Sequence, residues 1–434
     1  ALGIVSEITN TKLGELGTTT FRPPYSPITF VSLVGRNVGK FFDATRKTPM
    51  HDWHEKNNAK FEDVGQWKRA WYYPSNNESM YDAVQRESKA ARTKAGILDA
   101  STLGKIDIQG VDASEFLNRV YTNAWSKLAI GKCRYGLMLN DDGMVYDDGV
   151  TTRLNENHYI MTTTTGGAAT VMGKLEDFLQ TEWPELKVYL TSVTDHFGTI
   201  SVCGPYSKKI LEKITNNIDY SDTNFPHMSF KEGLIDKIRC RVMRISFTGE
   251  LSYEINIQAN YARSVWEKCM EAGKEFGITP YGTESMHLLR AEKGFIIVGQ
   301  ETDGTITPVD LQMDWIVSKK KYDFIGKRSL YRSDTIREDR KHYVGLLTKN
   351  PNEILEEGAQ IVAEVKKKPP MNMVGHVTSS YYSPNLDKSI ALAVVENGKK
   401  LKGKKLYVPM PNKTIEVTVS DPVFLDKEGK KLNA

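Results

Sequence analysis

The sequence has few cysteines and no paired ones. Four occur in 434 residues, at Cys133, Cys203, Cys240 and Cys269. Their scattered spacing argues against a disulfide scaffold and against a zinc site built from C-x-x-C pairs. We therefore expect buried free thiols, as in a cytosolic protein.

Long apolar runs are also missing. No stretch approaches the roughly 18 residues needed to span a bilayer. The first residues, ALGIVSEITN, lack the basic-then-apolar pattern of a secretory signal. These absences predict a cytoplasmic protein. The sequence starts with Ala rather than Met, which favours a processed chain, a fragment or the product of a split gene.

Charge of one sign is scarce as well. The net charge of +4 is too small to indicate a nucleic-acid-binding protein. The basic excess is concentrated in residues 340–434, which hold 16 Lys/Arg against 10 Asp/Glu. A solvated face explains most of these lysines, and an anionic partner or ligand tail is the alternative. No G-x-G-x-x-G loop follows a strand and no P-loop is present, which excludes a Rossmann dinucleotide-binding unit from this chain.

The first 45 residues differ in composition from the rest. TTTFRPPYSPITF carries three prolines among threonines and aromatics, a pattern that favours extended backbone over helix. We interpret residues 1–45 as an N-terminal arm or linker. Its Phe21, Tyr25 and Phe30 would suit a surface for a partner subunit.

The remaining chain predicts an α+β body followed by a small all-β domain. In residues 46–335, strands and helices interleave with hairpins instead of strict βαβ units, so we expect two interleaved α+β domains. One helix, YDAVQRESKAARTKAGI, is expected to end at Gly96. Residues 336–434 carry short strands between Gly, Pro and Asn turns, which predicts a sandwich or a barrel.

Two acidic residues lie inside a predicted strand after the turn sequence NDDG. Asp147 and Asp148 are adjacent, and adjacent strand residues point to opposite faces. One carboxylate should therefore face inward, where it needs a partner or a task. An ion pair with Arg134 or Arg153 is the structural alternative.

Two more segments could bind a ligand. TTTTGGAA places hydroxyls at a strand end and glycines at a helix start, which suits an anion or is a strand followed by a tight turn. Glu254 lies in the strand SYEINI. Its carboxylate could pair with a flat N–C–N edge, either a guanidinium in a salt bridge or a pterin ring.

The histidines and a lysine run offer weaker signals. His51 and His54 in HDWH have no evident third ligand, so we predict no metal site. Lys319, Lys320 and Lys321 form a short basic run, which is typical of a solvated turn.

A family resemblance extends this interpretation. GKCRYGLMLNDDGMVYDDGVTTRL resembles the folate-dependent aminomethyltransferase family, whose best-known member is the glycine-cleavage T-protein. TPYGTESMHLLRAEKGF and GQETDGTITPVDLQMDW are similar to one branch of it, the C-terminal folate-binding half of the heterotetrameric sarcosine oxidase α subunit. The resemblance implies a T-protein-like cloverleaf of three domains around a central folate site, with a C-terminal β-barrel domain.

The resemblance also implies roles for individual residues. Asp148 matches the catalytic aspartate, which positions or polarises a folate nitrogen. Folate-binding roles fall on Tyr135, Val150, Thr164, Phe247, Glu254 and Phe295, of which Glu254 would recognise the pterin edge. Phe247 and Phe295 replace tyrosines of the T-protein branch, and Met286 replaces an arginine. The loss of that arginine argues against transfer from a lipoyl-bound aminomethyl group.

The implied function is one-carbon transfer in a sarcosine-oxidase-type enzyme. The chain would bind tetrahydrofolate and form 5,10-methylenetetrahydrofolate from the imine of sarcosine oxidation. The oxidation itself needs a flavin, FMN or FAD, on a partner subunit. A stand-alone tetrahydrofolate-dependent aminomethyltransferase, methyltransferase or demethylase with another donor is the alternative, and a non-catalytic folate-binding module is a third possibility. Neither a metal, nor nucleic acid, nor a membrane is expected.

Overall fold

The structure is a computed structural model that describes residues 2–16 and 45–433. The predicted arm surface around Phe21, Tyr25 and Phe30 lies outside the described residues. The chain forms two compact units, residues 1–46 and 47–434. The described part of the first unit contains a helix, α1 (Leu2–Thr9), with no buried side chain. The strand β1 (Arg46–Lys47) begins at Arg46, the last residue of this unit.

Helices and strands interleave through the first three quarters of the second unit. A short hairpin comes early, formed by β2 (Lys60–Val64) and β3 (Trp67–Tyr72). The α-helices are α2 (His51–Lys56), α3 (Met80–Thr93), α4 (Ala113–Val120), α5 (Ala168–Asp177), α6 (Ser207–Ile214), α7 (Ala259–Gly273) and α8 (Thr283–Glu292). In the described residues, no helix is both long enough and apolar enough to cross a membrane.

A seven-stranded sheet forms the first layer of this unit. Its strands are β4 (Ala95–Asp99), β10 (Phe197–Cys203), β11 (Thr215–Asn216), β12 (Ser229–Ile235), β13 (Ile238–Arg244), β14 (Ser252–Gln258) and β15 (Ile278–Pro280), in the order β11-β12-β13-β14-β10-β4-β15. The apolar face of α7 packs on β10 and β14 through Val265 and Trp266. Burial of this face supplies most of the stabilisation of such a helix.

One predicted helix end was wrong. The helix α3 ends at Thr93, and Gly96 lies inside β4 instead of terminating the helix. A Cβ at Gly96 would lie 2.8 Å from the Tyr281 ring. Close packing against this ring therefore requires glycine in the strand.

A five-stranded sheet forms the second layer. Its strands are β5 (Gly104–Gln109), β6 (Cys133–Leu139), β7 (Val145–Asn155), β8 (His158–Thr163) and β9 (Tyr189–Ser192), in the order β6-β7-β8-β5-β9. The predicted turn joins β6 to β7, and Gly143 adopts a φ of 87° in it. This register places Val150 opposite Tyr135 and Asp148 opposite Leu137.

The C-terminal strands close into a barrel, which decides between the two predicted all-β forms. They are β16 (Lys341–Thr348), β17 (Gln360–Val362), β18 (Met373–Ser383), β19 (Lys388–Glu396), β20 (Lys405–Met410) and β21 (Lys413–Ser420), in the order β16-β19-β18-β17-β20-β21. Its interior is aliphatic and includes Ile361, Val377 and Val417. A second cluster joins Ile390 and Leu392 of β19 to Leu137 of β6.

A buried ion pair ties α8 to the barrel. Arg290 and Glu301 are both 0% exposed, and their closest N···O distance is 2.7 Å. The guanidinium of Arg290 also donates to Ser379 of β18 at 2.6 Å, and Glu301 accepts from Thr378 and Ser379 at 3.0 and 2.7 Å. Because each buried charge is compensated by the other, removing one partner leaves the other unpaired.

We expect Glu301→Gln to destabilise the protein by about 3 to 5 kcal/mol, because Arg290 would keep its charge in a buried setting without a carboxylate to compensate it. Calorimetric unfolding should show a lower Tm. Arg337→Met removes a guanidinium with an exposed ion pair to Asp339 and should change stability by less than about 1 kcal/mol. Equal effects of the two variants would contradict the assigned role of the buried pair.

Candidate functional site

A cavity of about 1440 Å³ lies among the two sheets, the helix α8 and the edge of the barrel. All seven residues predicted for the site line it: Tyr135, Asp148, Val150, Thr164, Phe247, Glu254 and Phe295. They come from sequence positions up to 160 residues apart. The structure therefore brings together the residues that the motifs placed in one site, while their individual roles stay predictions.

Tyr135 and Asp148 form the shortest polar contact among the predicted residues. The Tyr135 hydroxyl donates to Asp148 Oδ2 at 2.6 Å. Tyr135 lies opposite Val150 across the β6–β7 ladder, and Asp148, two residues from Val150, points to the same face. The strand register thus fixes both groups at the cavity wall.

Asp147 has a different environment from its neighbour. It is 1% exposed and accepts hydrogen bonds from the Thr164 N–H at 3.0 Å and the Thr164 hydroxyl at 2.9 Å. The Asp148 N–H donates to it as well, at 2.8 Å. Both aspartates line the cavity, and Asp147 is the one whose hydrogen-bonding capacity the protein itself satisfies.

The anion at the segment TTTTGGAA is a side chain of the protein, the Asp147 carboxylate. Thr164 holds the Asp147 carboxylate and accepts from the Gly167 N–H at 3.0 Å, just before α5 begins. A Cβ at Gly167 would lie 1.8 Å from Asp147 Oδ2. Glycine is therefore required for the close approach of this carboxylate to the helix start.

The alternative ion pairs of these aspartates do not form. Arg134 donates to the Ala124 carbonyl, and Arg153 donates to the Leu128 carbonyl at 2.7 Å. Within the described part of the chain, neither Asp147 nor Asp148 lies in an ion pair. Asp148 therefore keeps acceptor capacity that faces the cavity.

The pKa of Asp148 lies near neutrality. Burial raises it to about 7; the hydrogen bond from Tyr135 lowers it, and the charge of Asp147 raises it. Burial also raises the pKa of Asp147, against the hydrogen bonds from Thr164. A carboxyl that titrates near pH 7 can both take up and release a proton under ordinary conditions.

Glu254 of β14 is the second unpaired carboxylate of the cavity. No side chain or backbone group among the described residues donates a hydrogen bond to it, so the alternative salt bridge is not formed. Burial raises its pKa to about 7, and the positive charge of Lys105 lowers it. Lys105 is 1% exposed, and its ammonium donates to the carbonyls of Ser101 and Leu103 at 2.9 and 3.0 Å.

Aromatic and apolar groups complete the cavity wall. The rings of Phe247 and Phe295 stack with centroids 6.2 Å apart and planes at 28°. Val150 and Met286 line the cavity as well. A flat, partly apolar ligand would contact these surfaces, and Asp148 and Glu254 would accept hydrogen bonds from its polar edges.

Several neighbours escaped the sequence prediction. His54 contacts Asp99 Oδ2 through Nε2 at 3.0 Å and the Tyr73 hydroxyl through Nδ1 at 2.9 Å, and Asp99 lines the cavity. Arg69 and His287 line it too. The HDWH motif and the i, i+3 pattern of its histidines carried no signal for this contact, because the partners are distant in sequence.

Two minor expectations can also be compared with the structure. The described residues contain no group of three or more His, Cys, Asp or Glu side chains arranged to hold a metal ion. The run Lys319–Lys321 is only partly a solvated turn. Lys321 is half-buried, since its ammonium donates to the carbonyls of Tyr121 and Asn123, and burial lowers its pKa to about 7.

Comparison with known families decides the classification. The GCVT N-terminal domain matches residues 50–321, and the glycine cleavage T-protein C-terminal barrel domain matches residues 341–426. The chain belongs to the glycine cleavage T-protein family. This family of enzymes is the one that the motifs predicted.

Individual relatives agree with that classification. Sarcosine oxidase subunit alpha of Corynebacterium sp. (strain P-1) is 52% identical over 435 residues, which cover 99% of this chain and 45% of the relative. The chain thus spans about half the length of this relative. An aminomethyltransferase of Caldanaerobacter subterraneus subsp. tengcongensis is 31% identical over 390 residues, or 90% of this chain and 98% of the relative.

A solved structure shows the same fold. The glycine cleavage system aminomethyltransferase T from Bartonella henselae superposes with a TM-score of 0.76 at 24% identity, covering 88% of this chain and 98% of that chain. The predicted α+β fold of the T-protein type with a small all-β C-terminal domain is confirmed.

Proposed function

We propose that this chain binds tetrahydrofolate in the central cavity and transfers a one-carbon unit to it, as the folate part of a sarcosine-oxidase-type enzyme. The product would be 5,10-methylenetetrahydrofolate, formed from the imine of sarcosine oxidation. One observation carries the proposal: the Tyr135–Asp148 pair and the unpaired Glu254 face the same cavity of about 1440 Å³. In this assignment, residues 46–335 provide the folate-binding region and residues 336–434 the barrel domain.

The residues of the cavity fit a reduced folate. A pterin presents a flat edge of N–H donors, and Glu254 offers a carboxylate with no protein donor to satisfy it. The Phe247 and Phe295 rings offer surfaces for the p-aminobenzoyl ring. The cavity volume exceeds the usual range of about 300 to 1,000 Å³ for small-molecule sites, so it has room for a folate and a small donor together.

Asp148 is suited to manage protons during the transfer. Tetrahydrofolate supplies two nitrogens that each exchange a proton for a bond to the methylene carbon. Both carbon–nitrogen bonds of the imine break, and its nitrogen gains two protons as it leaves as the amine of glycine. The protons taken up therefore equal those that the folate releases. Asp148, with a pKa near 7, can accept a proton and return it to the amine. Tyr135 orients this carboxylate by its hydrogen bond.

The oxidation of sarcosine is assigned to a flavin outside this chain. The relative named sarcosine oxidase subunit alpha is about twice as long as this chain, and its name implies further subunits. We propose flavin-containing partner subunits, carrying FMN or FAD, that generate the imine. The imine would then reach the folate held near Asp148.

A second candidate function has its own supporting observation. The chain covers 98% of an aminomethyltransferase at 31% identity, so a transferase of this size acts without a fused oxidase half. A stand-alone tetrahydrofolate-dependent aminomethyltransferase, methyltransferase or demethylase with another donor is therefore the alternative. The replacement of an arginine by Met286 argues against a lipoyl-bound donor.

The test follows the labelled methyl carbon of sarcosine. The chain, purified with its native partner subunits, is supplied with tetrahydrofolate and [¹³C-methyl]sarcosine, and the products are separated by mass spectrometry. We expect the label in 5,10-methylenetetrahydrofolate, with unlabelled glycine as the second product and little free formaldehyde. Turnover by the isolated chain with another amine donor would favour the alternative, and absence of tetrahydrofolate binding in calorimetric titration would overturn both.

A further inference from the structure

The β2–β3 hairpin contributes to the cavity wall. Glu62 and Val64 of β2 and Arg69 of β3 line it, and Glu62 pairs with Arg69 across the ladder. The helix α8 contacts β3 and contributes Thr283 and His287 to the cavity lining. These side chains are not among the residues to which the motifs assigned a role.

Arg69 is held in place but not saturated. Its Nε and Nη2 donate to Glu62 Oε1 at 3.1 and 2.6 Å, and the Thr283 hydroxyl donates to the same oxygen at 2.6 Å. A guanidinium has five N–H donors, and Arg69 Nη1 makes no hydrogen bond to the described residues. The side chain is 16% exposed, so it is oriented by Glu62 while one edge stays open to a ligand.

The cavity has two other cations, each with its own contacts. Besides Arg69, only Arg134 and Lys293 among the described Lys and Arg side chains line it. Arg134 donates to the Ala124 carbonyl and its guanidinium lies over the Trp125 ring. Lys293 is paired with Asp426 at 3.3 Å. Arg134 also keeps Nε and Nη2 without a hydrogen bond to the described residues. Arg69 differs from it because a carboxylate, Glu62, orients its guanidinium and leaves Nη1 open.

Arg69 is paired with Glu62, and the residues of α8 that line the cavity carry no charge. His287 is neutral, because burial and the charges of Arg290 and Arg69 lower its pKa to about 3. Met286 of α8 lines the wall without charge. A carboxylate that binds here therefore meets the Arg69–Glu62 ion pair, in which Arg69 Nη1 is open, and a neutral imidazole that can donate a hydrogen bond.

We propose that Arg69, positioned by Glu62 and Thr283, is a carboxylate-binding residue of the cavity. Two sources of carboxylate fit: the glutamate tail of tetrahydrofolate and the carboxylate of glycine, the product of the sarcosine imine. This inference rests on the proposed folate function. It adds a specificity element that would make the site prefer a folate with its glutamate over the same ring system without it, or would hold the amino acid.

The experiment is a mutant–ligand cycle. Tetrahydrofolate, tetrahydropteroate (the same molecule without glutamate) and glycine are titrated calorimetrically, under anaerobic conditions, into the wild type and into Arg69→Met. The control is Lys68→Met, which removes one cation from the same strand. It is a suitable control because Lys68 is paired with Asp63 and does not line the cavity. A second control is the double variant Glu62→Gln/Arg69→Met. It removes both charges of the ion pair, so that no unpaired charge is left on the hairpin.

The expected result is a selective loss. Wild type should bind tetrahydrofolate about 10-fold more tightly than tetrahydropteroate, because a charge-assisted hydrogen bond is worth roughly that factor. Arg69→Met should abolish the preference and leave tetrahydropteroate affinity unchanged, and Lys68→Met should keep it. Loss confined to glycine would support the carboxylate site and assign it to the amino acid.

Two results would overturn the proposal. Equal weakening of all three ligands by Arg69→Met would show that the arginine only supports the hairpin. Unchanged affinities in Arg69→Met would show that Arg69 binds no carboxylate of these ligands. Either result leaves tetrahydrofolate binding by the wild type intact, whereas a wild type that binds neither folate would overturn the proposed function itself.

Discussion

Asp148→Asn should bind tetrahydrofolate as tightly as the wild type and transfer the one-carbon unit at least about 100-fold more slowly. The amide keeps the size of the side chain and a hydrogen bond with Tyr135, but it cannot take up a proton. General acid–base groups typically contribute factors of about 10² to 10⁴, so the loss should appear in the single-turnover rate. Titration calorimetry checks binding, and rapid quench measures the transfer.

The matched control for this variant lies on the same hairpin. Asp141→Asn changes an exposed carboxylate in the turn between β6 and β7, and its rate should equal that of the wild type. Asp148→Ala tests the same point with the whole carboxylate removed. A wild-type rate in Asp148→Asn with normal folate affinity would show that Asp148 is not the catalytic group.

The pH profile gives a second readout of the same group. If the ionised carboxylate is the active form, the transfer rate should fall as pH drops through about 7, the pKa of Asp148 in the unliganded cavity. Tyr135→Phe removes the hydrogen bond that lowers this pKa, so the pKa rises and the acid limb should move to higher pH. A shift to lower pH would contradict the assigned hydrogen bond.

The sequence allowed the strand carboxylates to be predicted because their pattern is local. Asp147 and Asp148 break the composition of a strand, and the alternation of strand faces separates their environments. The structure agrees, with Asp147 buried on Thr164 and Asp148 beside Tyr135. The barrel could be predicted only as one of two all-β forms, since closure depends on pairings between β16 and β21 that no local pattern encodes.

Other parts of the site depend on contacts that are far apart in sequence. Glu62 accepts from Thr283 across 221 residues, so the hairpin that holds Arg69 gave no sign of its place in the cavity. Gly96 was expected to end a helix because glycine often does so, whereas its small size serves packing against Tyr281. Lys321 was expected to be solvent-exposed, but it is half-buried because its ammonium donates to the carbonyls of Tyr121 and Asn123.

The second large effect is expected on folate affinity. Glu254→Gln should weaken tetrahydrofolate binding by about 10-fold to 100-fold, because a charged acceptor for the pterin N–H groups becomes a neutral amide that also presents its own donor. Burial holds the pKa of Glu254 near 7 in the unliganded cavity, against the charge of Lys105. If the ionised form binds the donor edge, wild-type affinity should rise with pH between 6 and 8, and the variant should lose this dependence.

A ligand fragment makes this prediction specific to the pterin. p-Aminobenzoylglutamate lacks the pterin ring, so its weaker binding should be the same in the wild type and in Glu254→Gln. Glu232→Gln, on the neighbouring part of the sheet with an exposed carboxylate paired to Arg241, should change neither affinity. If Glu254→Gln bound tetrahydrofolate like the wild type at pH 8, the pterin edge would have to lie elsewhere in the cavity. Asp148 would then have to be reconsidered as the group that reads it.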